Sequence, residues 1–248
     1  VKQKLERGKM ADRFIDIAYE DKDIIVVNKP RGLLVVGEKG KQDKTRRRGE
    51  ESLTDRVRGY LLRKFKGAKG AFVRPLHRLD RETTGLVIFA KSKGGMALSR
   101  DIKEHHVVRR YLAVVDGAVE KEDGVIDLSL EKGDFGHGKR VMVASEGEGR
   151  KAITQFRVIE RYENATLLKI NLKTGFTHQI RVHLAAIGHP LIGDKVYNPN
   201  GKIKFPRQAL HSSELRFNHS VTHKKIEIGS KLPKDMEDLV DKLRELII

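Results

Sequence analysis

Hydrophobic positions along the chain fall mostly into short apolar runs and alternating stretches, and only rarely into helical stripes. Ile24, Ile25, Val26 and Val27 form one run, closed by Asn28-Lys29-Pro30-Arg31-Gly32, which reads as a buried strand ending in a Pro/Gly turn. Residues 86–90 make a second run. Residues 111–115, with Tyr111, Ala113 and Val115 on one face, end at the turn signal Asp116-Gly117. Further strands are predicted over 125–130, 140–144, 152–159, 166–172, 210–217 and 225–228. Helical spacing is confined to four places. Ser52 caps a stretch in which Leu53, Val57, Tyr60, Leu61 and Phe65 share a face, with Asp55 three residues after the cap. Residues 96–102 make a short helix, and Ile180, Leu184 and Ile187 step along another before Gly188. Met236, Leu239, Val240, Leu243 and Ile247 form a last amphipathic stretch. Strands outnumber helices without regular alternation, which predicts an α+β fold: a mixed, largely antiparallel sheet with flanking helices.

Two stretches fall outside this pattern. Residues 1–13 are polar and basic and are expected to form a loose arm, with 14–248 as one folded domain. Residues 37–51 contain no hydrophobic side chain, so a mobile basic loop is expected there.

Charge narrows the range of partners. The chain carries 51 Lys and Arg against 34 Asp and Glu, a formal charge of +17, which favours an acidic macromolecule. Cysteine is absent, so disulfides, thiolate catalysis, Cys-ligated zinc and iron–sulfur clusters are excluded. No apolar run approaches the length of a membrane helix and the first residues hold no apolar signal core, so a cytoplasmic protein without membrane association is expected.

The polar residues best placed for chemistry lie in 74–85, immediately before an apolar strand. Here Asp80 sits between Arg78 and Arg81, close to His77. Neighbouring cations favour the ionised carboxylate, the form that a nucleophile or base requires. Taken alone, this composition is also what a surface salt bridge leaves, and it favours that plainer account. A second cluster runs from Thr174 to His183, with Thr177 as a candidate helix cap. A third sets Tyr111 at the head of a strand beside Arg109 and Arg110, where an aromatic ring can stack on a base or simply pack half-buried.

These stretches occur together, in order, in a known family. Asn28-Lys29-Pro30-Arg31-Gly32, His77-Arg78-Leu79-Asp80 with Thr84-Gly85-Leu86, Arg110 to Gly117, Thr177 to His183 continuing through Gly188 to Tyr197, and Leu210-His211 with Leu215, Phe217 and His219 cover roughly residues 17–228. In these blocks the chain resembles the pseudouridine synthases of bacterial ribosomal and transfer RNA, in the branch acting on large-subunit uridines. The resemblance implies a cleft across the sheet, Asp80 as nucleophile, Arg181 paired with it, and Tyr111 stacking on the target base. It further implies Arg78 filling the gap left by the flipped base, with His77 and Thr177 beside the RNA; Lys29 and Arg31 belong to a basic cluster suited to RNA phosphates, and Ile180 and Ile192 are candidates for the pocket wall that burial statistics of Ile favour as plain core. Uridine isomerisation needs neither metal nor cofactor on this reading, and the expected partner is RNA, ribosomal in preference to transfer RNA, met by a monomer. The nucleophile's target, C6 of the base or C1′ of the sugar, stays open. Two departures stand out: the family usually has Arg where this chain has Phe176, and Pro where it has Ser220.

Two other classes compete. A non-catalytic RNA-binding or ribosome-associated protein needs only the charge. A metal-dependent nuclease would draw on His77, Asp80, His178 and His183, but His178 and His183 lie five apart and would point about 140° from each other on a helix.

Overall fold

The computed structural model describes residues 15–37, 51–65, 70–134, 140–145 and 149–245. The predicted N-terminal arm (1–13) and nearly all of the 37–51 loop lie outside the described residues.

Strands β2 (Ile24–Lys29) and β4 (Thr84–Ala90) pair antiparallel near the middle of the fold. Both are uninterrupted apolar runs because both of their faces are covered. Ile25, Val27, Val87 and Phe89 pack with Leu53, Val57 and Leu61 of helix α1 (Leu53–Lys64), whereas Ile24, Val26, Leu86 and Ile88 pack with Leu98 and Ile102. Ser52 caps α1 in a complete capping box with Asp55, as the spacing predicts. The helix predicted over 96–102 is two short helices, α2 (Lys93–Met96) and α3 (Leu98–Lys103), which break at Ala97.

The main sheet runs β1 (Asp16–Glu20), β2, β4, β11 (Leu210–Asn218), β5 (Val108–Asp116), β10 (Ala165–Leu172), β9 (Ile153–Arg161) and β6 (Asp123–Asp127). Strand β3 (Arg74–Pro75) adds to β4 and β12 (Lys225–Gly229) to β11. Among the described pairs only β4 and β11 run parallel, through His211 opposite Thr84 and Ser212 opposite Gly85. A side chain at Gly85 would bring its Cβ to 2.2 Å from the Ser212 carbonyl oxygen, and φ there is +109°, so glycine is what lets the two strands meet. Ser212 also pairs with Tyr111 across β5. The junction therefore sets the loop before β4 two strands from Tyr111, about 10 Å away.

The single strand predicted over 125–130 divides. Strand β6 stays on the main sheet against β9, while β7 (Ser129–Asp134) leaves it to pair with β8 (Arg140–Ser145) in a separate ribbon. Between them the Leu128 carbonyl accepts from His183 Nε2 at 3.2 Å, a long-range contact that local pattern does not show. Helix α4 (Gln179–Ala186) buries Ile180 and Leu184 in the same core as α1. Helix α5 (Lys234–Glu245) lays Met236, Leu239, Val240 and Leu243 against Val114, Leu167 and Ile192. No helix among the described residues is long and apolar enough to cross a membrane.

Candidate active site

The loop carrying Asp80 is tied down by residues distant in sequence. Lys29, 1% exposed, donates from Nζ to the carbonyls of Pro30 (2.9 Å), Leu33 (2.8 Å) and Arg81 (2.8 Å). Burial draws its pKa down to about 7, against the pull of Glu82 and Asp80. An ammonium spent on three backbone carbonyls does not reach a phosphate, so the RNA contact expected of Lys29 is corrected: it clamps the Asp80 loop to the Pro/Gly turn. Arg207 reaches the same loop, donating to the Glu82 carbonyl at 3.2 Å while its other nitrogens hold Asp235. His77 accepts the Ile88 N–H on Nε2 at 3.2 Å. Burial, reinforced by Arg109, lowers its pKa to about 3, so the ring is neutral and braces β4.

Helix α4 supplies the opposing side. Its N-cap is His178, at φ +58° and without a side-chain cap, so the role predicted for Thr177 as cap is corrected; Thr177 is exposed and lines the cleft. Buried Gln179 instead ties the turn before the helix, its Oε1 accepting from Thr174 Oγ1 (2.8 Å) and the Phe176 N–H (3.1 Å). Its Nε2 donates to the Ile153 carbonyl at 3.1 Å and Thr154 Oγ1 at 3.0 Å, which staples the helix start to β9.

So held, α4 aims Arg181 between two carboxylates. Nη1 donates to Asp80 Oδ2 at 3.0 Å, while Nε and Nη2 grip Asp194 at 2.6 and 2.8 Å. Asp194, wholly buried, also accepts the N–H groups of Val196 (2.9 Å) and Tyr197 (3.2 Å). Burial opposes charge on both Arg181 and Asp194, yet their mutual hydrogen bonds outweigh it, holding Arg181 above and Asp194 below their ordinary values. Asp80 is the member of the row open to the cleft, its side chain 27% exposed. His178 Nε2 lies 3.7 Å from Asp80 Oδ2, with its Nδ1 at 3.2 Å from the Tyr197 hydroxyl. Burial lowers the His178 pKa, the Asp80 charge opposing and the Arg181 charge adding to the shift.

These groups face a cleft of about 580 Å³. Tyr111 lies in its floor, 3% exposed; burial raises the phenol's pKa, so the ring offers a protonated hydroxyl and an aromatic face. Arg78 is exposed at the rim and Ile180 forms part of the wall. Two expected members lie elsewhere. Ile192 is fully buried under α5, as plain core and not as a wall of the cleft, where its N–H donates to the Val114 carbonyl at 3.0 Å; Arg31 is exposed and sits 3.9 Å from Asp235. Phe176, where the family usually has Arg, carries the Arg150 guanidinium over its ring at 4.5 Å, so a cation still stands at that rim.

Three residues near Asp80 carry no local signal of their place: Asp194, 114 positions away, lies within one of the blocks that resemble the family, and the sequence around His178 and Arg109 does not set their partners. Of the four groups a metal site would have used, His178 approaches Asp80 whereas His77 and His183 turn to backbone atoms.

Comparison with known proteins places the chain in a family. The sequence pattern of the RNA pseudouridylate synthase family matches residues 23–186. Ribosomal large subunit pseudouridine synthase D of Zymomonas mobilis is 36% identical over 234 residues, 90% of this chain and 71% of that protein. RNA pseudouridine synthase YlyB of Bacillus subtilis is 38% identical over 238 residues, 93% of this chain and 73% of that protein. Among solved structures, human RNA pseudouridylate synthase domain containing 4 superimposes with a TM-score of 0.73 at 25% identity, covering 98% of this chain and 97% of its own. The chain belongs to the RNA pseudouridylate synthase family and is an enzyme that isomerises uridine to pseudouridine in RNA.

Proposed function

We propose that Asp80 is the nucleophile of this isomerisation and that the substrate is large-subunit ribosomal RNA. The observation that supports it most is the charge row: Asp80 is the accessible carboxylate of three aligned charges, and Arg181 orients it with a single hydrogen bond from its Nη1. The C1′–N1 bond of uridine breaks and a C1′–C5 bond forms; C5 loses its proton and N1 ends protonated. A carboxylate serves either route, adding to C6 of the base or attacking C1′ of the sugar, and keeps both fragments in the site. The target base must leave its stack to reach Asp80. Tyr111 supplies a stacking face and Arg78 a side chain free to fill the gap, and together they offset the few kcal/mol of unstacking. Relatives that share more than a third of their residues are named as large-subunit synthases, which favours ribosomal over transfer RNA.

Tritium release from 5-³H-uridine reports loss of the C5 proton directly. Unmodified large-subunit ribosomal RNA and bulk transfer RNA are offered separately to the wild type and to Asp80→Asn, whose amide oxygen can still accept from Arg181. Release from ribosomal RNA by the wild type alone is expected. Equal release by both proteins refutes Asp80 as nucleophile, and release only from transfer RNA refutes the substrate assignment.

A further inference from the structure

Among the described residues, Arg109 is a buried cation without a counter-ion. It is 5% exposed, its Nε is buried without a partner, and among the described residues no hydrogen bond or ion pair engages its guanidinium. The other two buried arginines are fully matched, Arg181 by two aspartates and Arg207 by Asp235 and three carbonyls. A desolvated, unpaired charge opposes folding, so a protein that keeps one has a use for it outside the folded chain.

Its surroundings say what that use is. Arg109 lines the cleft and shares a face of β5 with Tyr111, two residues and about 6.7 Å along the strand. The turn at Gly175 closes over it: a Cβ at Gly175 would lie 2.5 Å from Arg109 Nη1, so glycine is what leaves the guanidinium its place. His77 adds a second unmatched donor. Its Nε2 accepts from Ile88, which puts the ring proton on Nδ1, and Nδ1 is buried without a partner.

We infer that Arg109, with the Nδ1–H of His77 beside it, binds a backbone phosphate of the RNA next to the uridine that stacks on Tyr111. This rests on the proposed placement of the flipped base over Tyr111. A phosphate neutralises the buried charge and fits the guanidinium fork, whereas a uracil carbonyl satisfies one donor and leaves the charge unmatched. The contact forms only when a nucleotide is seated in the cleft, so its energy is available to offset flipping.

The test compares wild type with Arg109→Met, Arg109→Lys and Gly175→Ala, using unmodified large-subunit ribosomal RNA transcript as probe at several salt concentrations. Arg109→Met is expected to weaken binding about tenfold, the worth of one charge-assisted hydrogen bond. It should also lower the slope of log affinity against log salt by about 0.7, one single-strand phosphate. Arg109→Lys restores the slope, and Gly175→Ala weakens binding by displacing the guanidinium. In single-turnover tritium release the loss falls on half-saturation more than on the saturating rate. Because the substitution removes an unmatched buried charge, Arg109→Met should melt no lower than the wild type. An unchanged salt slope, or melting several degrees below the wild type, overturns the assignment. The binding slope decides even where no tritium is released, whereas failure of the Asp80 reading appears separately, as equal release by wild type and Asp80→Asn.

Discussion

Asp194 is joined to Asp80 through Arg181, and a double-substitution cycle measures that linkage. Arg181→Met leaves Asp194 wholly buried with two backbone N–H groups and no cation. Breaking one side of a buried ion pair costs about 3–5 kcal/mol, chiefly for the charge left behind. For a domain of this size each kcal/mol lowers the melting temperature by about 2–4 °C, so a fall of roughly 6–20 °C is expected. Asp194→Asn alone should cost a comparable amount, because Arg181 Nε then faces an amide or a lost charge where it had a carboxylate oxygen at 2.6 Å. Combined, the two substitutions should cost no more than Arg181→Met alone, since the second removes the very charge that the first stranded. The coupling is then about 3 kcal/mol or more. Thermal melts of the four proteins measure it, and single-turnover tritium release adds the catalytic side. There Arg181→Met should lose at least about a hundredfold in rate, roughly 2.7 kcal/mol of orientation and charge, while RNA half-saturation shifts far less. Additive melting losses, or a rate unchanged by Arg181→Met, would show that the three charges do not act as one unit.

Other expectations follow from groups whose roles differ from their sequence appearance. Lys29→Met strands the buried Leu33 carbonyl and frees the partly exposed carbonyls of Pro30 and Arg81, and should destabilise by about 1–3 kcal/mol; its RNA-binding salt slope should match the wild type, and a slope lower by about 0.7 would return Lys29 to the phosphate contacts. Burial lowers the pKa of His77 to about 3 and of His211 to about 4. Between pH 6.5 and about 4 the unfolded chain therefore binds protons that the folded chain refuses, and stability is full above pH 6.5 and falls as the pH drops through this window. Each group contributes up to about 1.4 kcal/mol per pH unit. His77→Gln, whose amide oxygen can take the Ile88 N–H, should flatten urea-melt stability between pH 6.5 and 5 by about that amount per unit; parallel profiles would show that His77 titrates as an exposed imidazole.

Much of the architecture could be read in the order of residues alone. Buried strands such as β2 and β4 announce themselves because both faces need apolar side chains, and α1 because Ser52 and Asp55 satisfy its first N–H groups locally. The α+β class follows from those elements without further information. Asp80, Tyr111 and Arg181 stand out because each lies in one of the ordered motifs that resemble the family. What the sequence could not determine is where each side chain spends its hydrogen bonds. Lys29, exposed by composition, is buried on three carbonyls because the Asp80 loop folds back over it from 52 residues away. Ile192 turns to α5 and not to the cleft, a choice set by which helix covers which face of the sheet. At the break between β6 and β7 the Leu128 carbonyl is met by His183, 55 residues away. Asp194 and Arg109 look alike in sequence, each a charge with a cationic neighbour, Lys195 or Arg110, beside an apolar stretch. Tertiary structure alone separates them, giving one a cation at hydrogen-bond distance and leaving the other unmatched in the cleft, because pairing depends on distance in space and the chain encodes it only after it has folded.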